Sequence, residues 1–213
     1  MLNKYKHIIW DWNGTLLNDD WLCIKVLNSL LTARNMKTVT TNEYKAQFDF
    51  PVIEYYKKLG FDFQREDFSD VAKQYIQAYE QRKKTCGLQP NALKALNFFK
   101  DKNLTQSVLS AYQQDKLDDF INFFKIRHFF TAVVGLKHDY ADSKVQLGKE
   151  FINSQHLEPE NILFIGDTTH DFEVANAMKV DALLIADGHQ PKEKLQKCPC
   201  QVLNNLHDLL NLN

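Results

Sequence analysis

At 213 residues, with 26 Lys and Arg against 27 Asp and Glu, the chain carries a formal net charge of −1. That balance gives no electrostatic case for nucleic acid or an anionic membrane as partner. Hydrophobic residues at 44% and charged residues at 25%, with only 7 Gly and 5 Pro, exclude extensive disorder and leave room for one domain carrying a smaller one. No apolar run approaches the roughly 20 residues of a spanning helix, and Met1 to His7 lacks the apolar stretch of a secretory signal. The four cysteines, Cys23, Cys86, Cys198 and Cys200, make no disulfide framework, so a cytoplasmic location is expected. Cys198-Pro199-Cys200 reads as a turn between two ordinary thiols.

In chain order, His7 to Trp10 is a short apolar run stopped by Asp11-Trp12-Asn13-Gly14-Thr15, the pattern of a buried strand and a tight loop. Residues 17–85 change character: Trp21, Ile24, Leu27, Leu30 and Leu31 recur at helical spacing, and Phe50-Pro51 and Gly60-Phe61-Asp62 mark breaks. Ser69 to Lys84 reads as one helix, its solvated end carrying Arg82, Lys83 and Lys84 with Gly87 beyond as a cap. From Gly87 onward the pattern alternates. Helices are expected at Pro90–Lys100, Gln113–Phe124, Ser143–Gln155 and Asp171–Met178, and strands at Thr105–Leu109, Thr131–Val134, Asn161–Ile165 and Ala182–Ile185. Such alternation predicts an α/β fold, a parallel sheet with helices on both faces. The core then comprises 1–16 and 86–213, with 17–85 as an inserted helical cap over the carboxyl ends of the strands. Open α/β sheets bind ligands at that edge.

Asp11 follows the first strand, and Asp167 and Asp171 follow the strand ending at Ile165. Either cluster alone reads as turn formers or helix caps. In a parallel sheet both face one edge, where several carboxylates repel unless a cation lies between them, and an all-oxygen set of this kind suits Mg²⁺. Ser110, ending the Ser107-Val108-Leu109 strand, offers a hydroxyl and backbone amides to phosphate oxygens. Lys144, opening a helix, offers a point cation.

These segments, Asp11-Trp12-Asn13-Gly14-Thr15-Leu16, Ser110, Lys144 and Gly166-Asp167-Thr168-Thr169-His170-Asp171, resemble in order the four motifs of the haloacid dehalogenase-like hydrolases. The similarity is greatest to the phosphoglycolate-phosphatase-like branch, whose helical cap follows the first motif. The resemblance implies a Mg²⁺-dependent phosphatase acting on a small phosphorylated metabolite through an aspartyl-phosphate. It makes Asp11 the nucleophile and a metal ligand, Asp167 a second ligand, and Asp171 a ligand or the holder of a metal-bound water. Asn13 contributes its backbone carbonyl to the metal, and Ser110 and Lys144 bind the phosphoryl group. The amides around Gly14 and Ala111 would stabilise its oxygens.

One position departs from the pattern. Phosphatases of this family carry Asp two residues after the nucleophile as general acid and base, and Asn13 cannot exchange a proton at neutral pH. Such help is typically worth about 10² to 10⁴ in rate, so an Asn13→Asp exchange is expected to gain most on alkyl esters, whose leaving groups are strongly basic. His170, at a helix start where the dipole favours the neutral ring, is a candidate proton carrier, and His189, after the Asp187-Gly188 turn, is another. His7, His128, His138, His156 and His207 read as surface residues. Two alternatives stay open: a phospho-ligand-binding or regulatory protein of weak turnover, and a phosphonoacetaldehyde-hydrolase-like enzyme cleaving a C–P bond. The latter needs a Schiff-base lysine in the cap, where Lys45, Lys57 and Lys58 lie. The aromatic group Tyr44, Phe48, Phe50, Tyr55 and Tyr56 reads as the core of the helical segment, with a substrate lid as its other reading.

Overall fold

The structure, a computed structural model, describes residues 2–137 and 144–212. Strand β1 (His7–Trp10) is buried at every position, as suits a short apolar run covered on both faces. It leads into β2 (Leu17–Asn18), then helices α1 (Asp20–Ala33), α2 (Thr41–Gln47), α3 (Val52–Lys58) and α4 (Phe68–Glu80), and returns through β3 (Gly87–Leu88). Alternation follows: α5 (Ala92–Asp101), β4 (Thr105–Gln113), α6 (Gln114–Phe123), β5 (Ala132–Leu136) and α7 (Lys144–Ser154). The chain continues through β6 (Ile162–Gly166), α8 (Thr169–Met178), β7 (Asp181–Ile185), α9 (Lys192–Leu195), β8 (Gln201–Leu203) and α10 (Leu206–Leu209).

Six strands form one parallel sheet in the order β5-β4-β1-β6-β7-β8. Side chains alternate across β1, so Ile9 joins Leu109, Phe164 and the α7 and α8 residues Phe151, Val174 and Met178 on one face. Ile8 and Trp10 pack on the other, with Leu96 and Phe99 of α5 and Phe120 of α6. The sheet is therefore covered on both sides. Helices α1–α4 lie between β2 and β3, which pair antiparallel, Leu17 with Leu88 and Asn18 with Gly87. The apolar α1 packs chiefly on α4, and α2 begins with a reciprocal cap between Thr40 and Glu43. Among the described residues, no helix is long and apolar enough to cross a membrane.

The structure corrects several expectations. Helix α4 ends at Glu80 rather than Lys84, and Gly87 lies in β3 instead of capping a helix. Lys83 is buried, not solvated: its ammonium is 2.8 Å from Glu80 and lies over the Phe120 ring. A long stem carrying a paired charge packs well in such a place. Strand β4 runs on to Gln113, so Ser110 lies inside a strand and not at its end. His7 is buried between the hydroxyls of Thr105 and Ser107, at 2.7 Å from each, because the strand register sets it beside β4. His128, His156 and His207 are exposed, while His138 and Ser143 lie outside the described residues.

Candidate active site

Register brings the acidic residues together. Trp10 pairs with Ile165, and the Asp11 amide donates to the Ile165 carbonyl at 2.9 Å, so Asp11 leaves β1 where Asp167 leaves β6. Asp11, Asp167 and Asp171 are all buried, with carboxylate oxygens within 4.8 Å of one another. Lys144, also buried, lies between two of them: its ammonium contacts Asp11 and is 2.6 Å from Asp171. Burial lifts the Asp11 and Asp167 carboxyls above the usual carboxylate range, with mutual repulsion adding to it. Burial opposes the charge on Lys144, but Asp11 and Asp171 outweigh it and hold the ammonium more firmly protonated than usual. Burial likewise opposes ionisation of Asp171, yet Lys144 and the α8 cap keep its carboxyl low. Its Oδ2 accepts from the amides of Asp167 and Thr168 and from the Thr168 hydroxyl, at 3.1, 3.0 and 2.7 Å. Asp171 is thus engaged by both Lys144 and the helix start, while Asp11 shares the Lys144 ammonium with it.

The Asp11–Thr15 loop is held tightly. The Thr15 hydroxyl donates to Asp167 Oδ1 at 2.8 Å, and the His189 amide donates to Asp167 Oδ2 at 2.7 Å. Gly14 has φ +78°, and a Cβ there would overlap the Asp167 carboxylate, so only glycine fits. The Gly14 amide is already given to the Leu17 carbonyl and to Asp19 Oδ1, at 3.0 and 2.9 Å. It is therefore not open to a phosphoryl oxygen, contrary to expectation.

Asn13 turns its side chain toward Asp19. Its amide donates to Asp19 Oδ2 at 2.8 Å, and the Tyr79 hydroxyl donates to the same oxygen at 2.7 Å. Fully buried Asp19 also lies 3.5 Å from the His189 ring, whose other nitrogen is 3.1 Å from the Tyr44 hydroxyl. Burial works against protonation of His189, but the Asp19 carboxylate prevails and moves its pKa up to about 9. Asp19 escaped the sequence reading because no motif marks it. Its side chain caps nothing and reaches back to the loop instead. Cys23 adjoins this cluster, 3.6 Å from Asp19.

Ser110 is buried, and its hydroxyl accepts from the Tyr112 amide at 3.1 Å. Ser110 and the exposed Ala111 line a cavity of about 420 Å³ that also reaches Asp11, Lys144, Asp167 and His170. His170 meets the Phe50 ring, stacked at 4.6 Å, and Glu173 at 3.3 Å. Among the aromatic group, Tyr44, Tyr55 and Tyr56 are buried and all five line the cavity, so packing and lining coincide. Lys45, Lys57 and Lys58 do not line it: Lys45 pairs with Asp20 at 2.7 Å, Lys57 pairs with Glu54 at 2.7 Å, and Lys58 is exposed. No lysine stands where a Schiff base would form in the cavity from that segment.

The family model of haloacid dehalogenase-like hydrolases matches residues 8–185, from β1 through β7. The chain belongs to that family. Among solved structures, a haloacid dehalogenase-like family hydrolase from Streptococcus pneumoniae superposes with a TM-score of 0.83 at 16% identity, covering 98% of each chain. A haloacid dehalogenase-like hydrolase from Bacteroides fragilis gives 0.82 at 18%, covering 96% of this chain and 99% of that one. A predicted phosphoglycolate phosphatase from Haemophilus somnus gives 0.75 at 18%, covering 98% and 97%. At such identities the likeness is one of fold. No curated protein matches the sequence. The haloacid dehalogenase-like architecture accounts for the sheet order and for the meeting of Asp11 with Asp167 at one edge.

Proposed function

We propose that the chain hydrolyses a small phosphate monoester with Mg²⁺, in the manner of the phosphoglycolate-phosphatase-like branch. One arrangement carries this reading: three buried carboxylates and one buried ammonium gathered at the carboxyl ends of β1 and β6, lining a cavity. Asp11 is the nucleophile. One carboxylate oxygen forms the bond to phosphorus while the ester oxygen leaves with the electron pair of its P–O bond and takes up a proton from water, since Asn13 has none to give. Water then attacks the aspartyl-phosphate, releasing phosphate and restoring Asp11. Lys144 balances charge on the phosphoryl oxygens, which Ser110 and the Ala111 amide orient. The donor set fits a hard cation, being all oxygen and carrying more negative charge than Lys144 cancels. Asp11, Asp167 and the Asn13 carbonyl would hold Mg²⁺, with Asp171 behind them keeping Lys144 in place. Bound there, Mg²⁺ screens the repulsion between a carboxylate nucleophile and a phosphate dianion. Residues 17–85 act as a cap over a core of 1–16 and 86–213, shielding the first step from water.

Asn13 favours a second reading, a phospho-ligand-binding protein of weak turnover, because its side chain is engaged with Asp19 and has no proton to exchange. Phosphate release from a panel of phosphomonoesters, with and without EDTA, decides between them. The phosphatase requires release that EDTA and Asp11→Asn both abolish. Ester binding without release establishes the second reading.

A further inference from the structure

The cavity above Asp11 is unevenly furnished. At its floor stand the carboxylates and Lys144; the helical segment supplies rings and branched aliphatics, among them Tyr44, Phe48, Val52, Tyr56, Phe68 and Ile76. Phe48 stacks on Tyr44 at 5.0 Å and meets Tyr55 edge-on at 5.6 Å, so the wall is a packed aromatic surface. Among the described residues, that segment contributes no Lys or Arg to the lining. Its only charged lining groups are the carboxylates of Asp19 and Glu80, each already engaged: Asp19 by Asn13 and Tyr79, Glu80 by Lys83 and Tyr112. Three of the tyrosine hydroxyls at this wall are committed as well, Tyr44 to His189, Tyr79 to Asp19 and Tyr112 to Glu80, while the Tyr55 hydroxyl is buried among the described residues without a hydrogen-bond partner. On the core side the lining cations are Lys144, held by Asp11 and Asp171, His189, paired with Asp19 at 3.5 Å, and Lys116 in the first turn of α6.

A leaving group that carries a carboxylate would face carboxylates and rings on the helical side, with Lys144 and His189 already paired to carboxylates, and burying an anion without a partner is costly. A polyhydroxylated leaving group would lose its water for surfaces that return few hydrogen bonds. An uncharged apolar or aromatic group instead buries against rings in offset and edge-to-face contact. From this, and resting on the phosphomonoesterase reading, we infer that the chain selects esters whose organic part is uncharged and hydrophobic, an aromatic ring or a compact hydrocarbon, over phosphoglycolate and sugar phosphates.

The test separates this from the chemistry by using non-cleavable phosphonates, benzylphosphonate and phosphonoacetate, titrated calorimetrically with Mg²⁺ present. Benzylphosphonate should bind at least tenfold more tightly. In parallel, phosphate release is compared for benzyl phosphate, glycerol phosphate and phosphoglycolate, all of which leave as primary alkoxides, so leaving-group basicity does not set the order. Benzyl phosphate should have the highest kcat/KM, chiefly through KM. Ile76→Arg and Val52→Arg, on α4 and α3, each place a guanidinium in the wall and should reverse the preference of the two phosphonates. Two variants on different helices guard against one failing to fold. Tighter binding of phosphonoacetate by the wild type would overturn the inference. So would a phosphonoacetate preference abolished by Lys116→Ala, since the anion site would then lie on the core. Release led by phosphoglycolate refutes the selectivity and leaves the phosphatase standing. Release from no ester refutes the phosphatase, while the phosphonate titration still decides the selectivity.

Discussion

The side-chain amide of Asn13 donates to the buried carboxylate of Asp19 at 2.8 Å, so a residue that looks like a catalytic loss in sequence has a structural partner. Asn13→Asp would set two carboxylates within hydrogen-bonding distance, and the pair would have to retain a proton to stay folded. A carboxyl whose folded pKa is raised contributes stability below its unfolded value and loses it as pH rises through the folded one. The single variant should therefore match wild type near pH 4 and be less stable by about 1–3 kcal/mol at pH 7.5. Adding Asp19→Asn should recover most of that loss, and the double variant should gain more on alkyl esters than the single one. Denaturation at both pH values and rates on aryl and alkyl esters at saturating Mg²⁺ check this. Equal stability of Asn13→Asp and wild type at pH 7.5 would show that Asp19 does not constrain position 13.

Lys144 joins Asp11 to Asp171, and its removal leaves both carboxylates buried without a cation. Lys144→Met should cost about 3–5 kcal/mol at neutral pH in EDTA, and less near pH 5, where the carboxyls take up protons. Millimolar Mg²⁺ should restore part of the loss. A melting temperature unchanged by the substitution in EDTA would mean that the ion pairs do not support the fold.

On the proposed reading, Asp11 and Asp167 hold the cation. Mg²⁺ at a hundred times its dissociation constant should stabilise the wild type by about 2.7 kcal/mol. Asp167→Ala should abolish both that shift and the calorimetric binding isotherm. Undiminished Mg²⁺ binding by this variant would remove Asp167 from the metal site.

His7 sits far from this chemistry. Burial lowers its pKa from 6.5 to about 4. A histidine whose folded pKa is depressed favours the neutral ring, so its stabilisation is complete above the unfolded value of 6.5 and is lost as pH falls toward 4. At about 1.36 kcal/mol per unit, the acid limb should carry about 3 kcal/mol from this residue. His7→Gln keeps a hydrogen-bonding side chain without a titration, and should flatten stability measured by urea unfolding between pH 6.5 and 4. An acid limb of unchanged slope would assign the loss to other groups.

Much of the fold was legible because its signals are local. Ile8-Ile9-Trp10 and Ile162 to Ile165 are short apolar runs ended by acid, and the parallel fold follows once helices are seen between strands. The meeting of Asp11, Asp167 and Asp171 could be expected from topology alone. Less legible were features fixed by partners distant in sequence. His7 reads as a surface residue until β4 supplies two hydroxyls. Lys83 reads as a solvated helix end until Phe120 and Glu80 close over it. Asp19 carries no signal in the sequence, and its part emerges only where the loop before it turns back through Gly14. Strands β2, β3 and β8 have two, two and three residues, too few for any periodicity to emerge.

The small antiparallel pair formed by β2 and β3 has a consequence for how such a chain can change. Leu17 meets Leu88 and Asn18 meets Gly87, so the chain departs from the core and returns to it at one spot. For the sheet, everything between those residues is a loop already tied at its neck. Because closure entropy grows only with the logarithm of loop length, a two-residue turn or a whole new domain could be spliced there at similar expense to the core. The pairing of β1 with β4 and β6 would not register the exchange. Lineages could thus trade one ligand for another by swapping what hangs from the neck, while Asp11 and Asp167 stay where β1 and β6 put them and Lys144 stays at the start of α7.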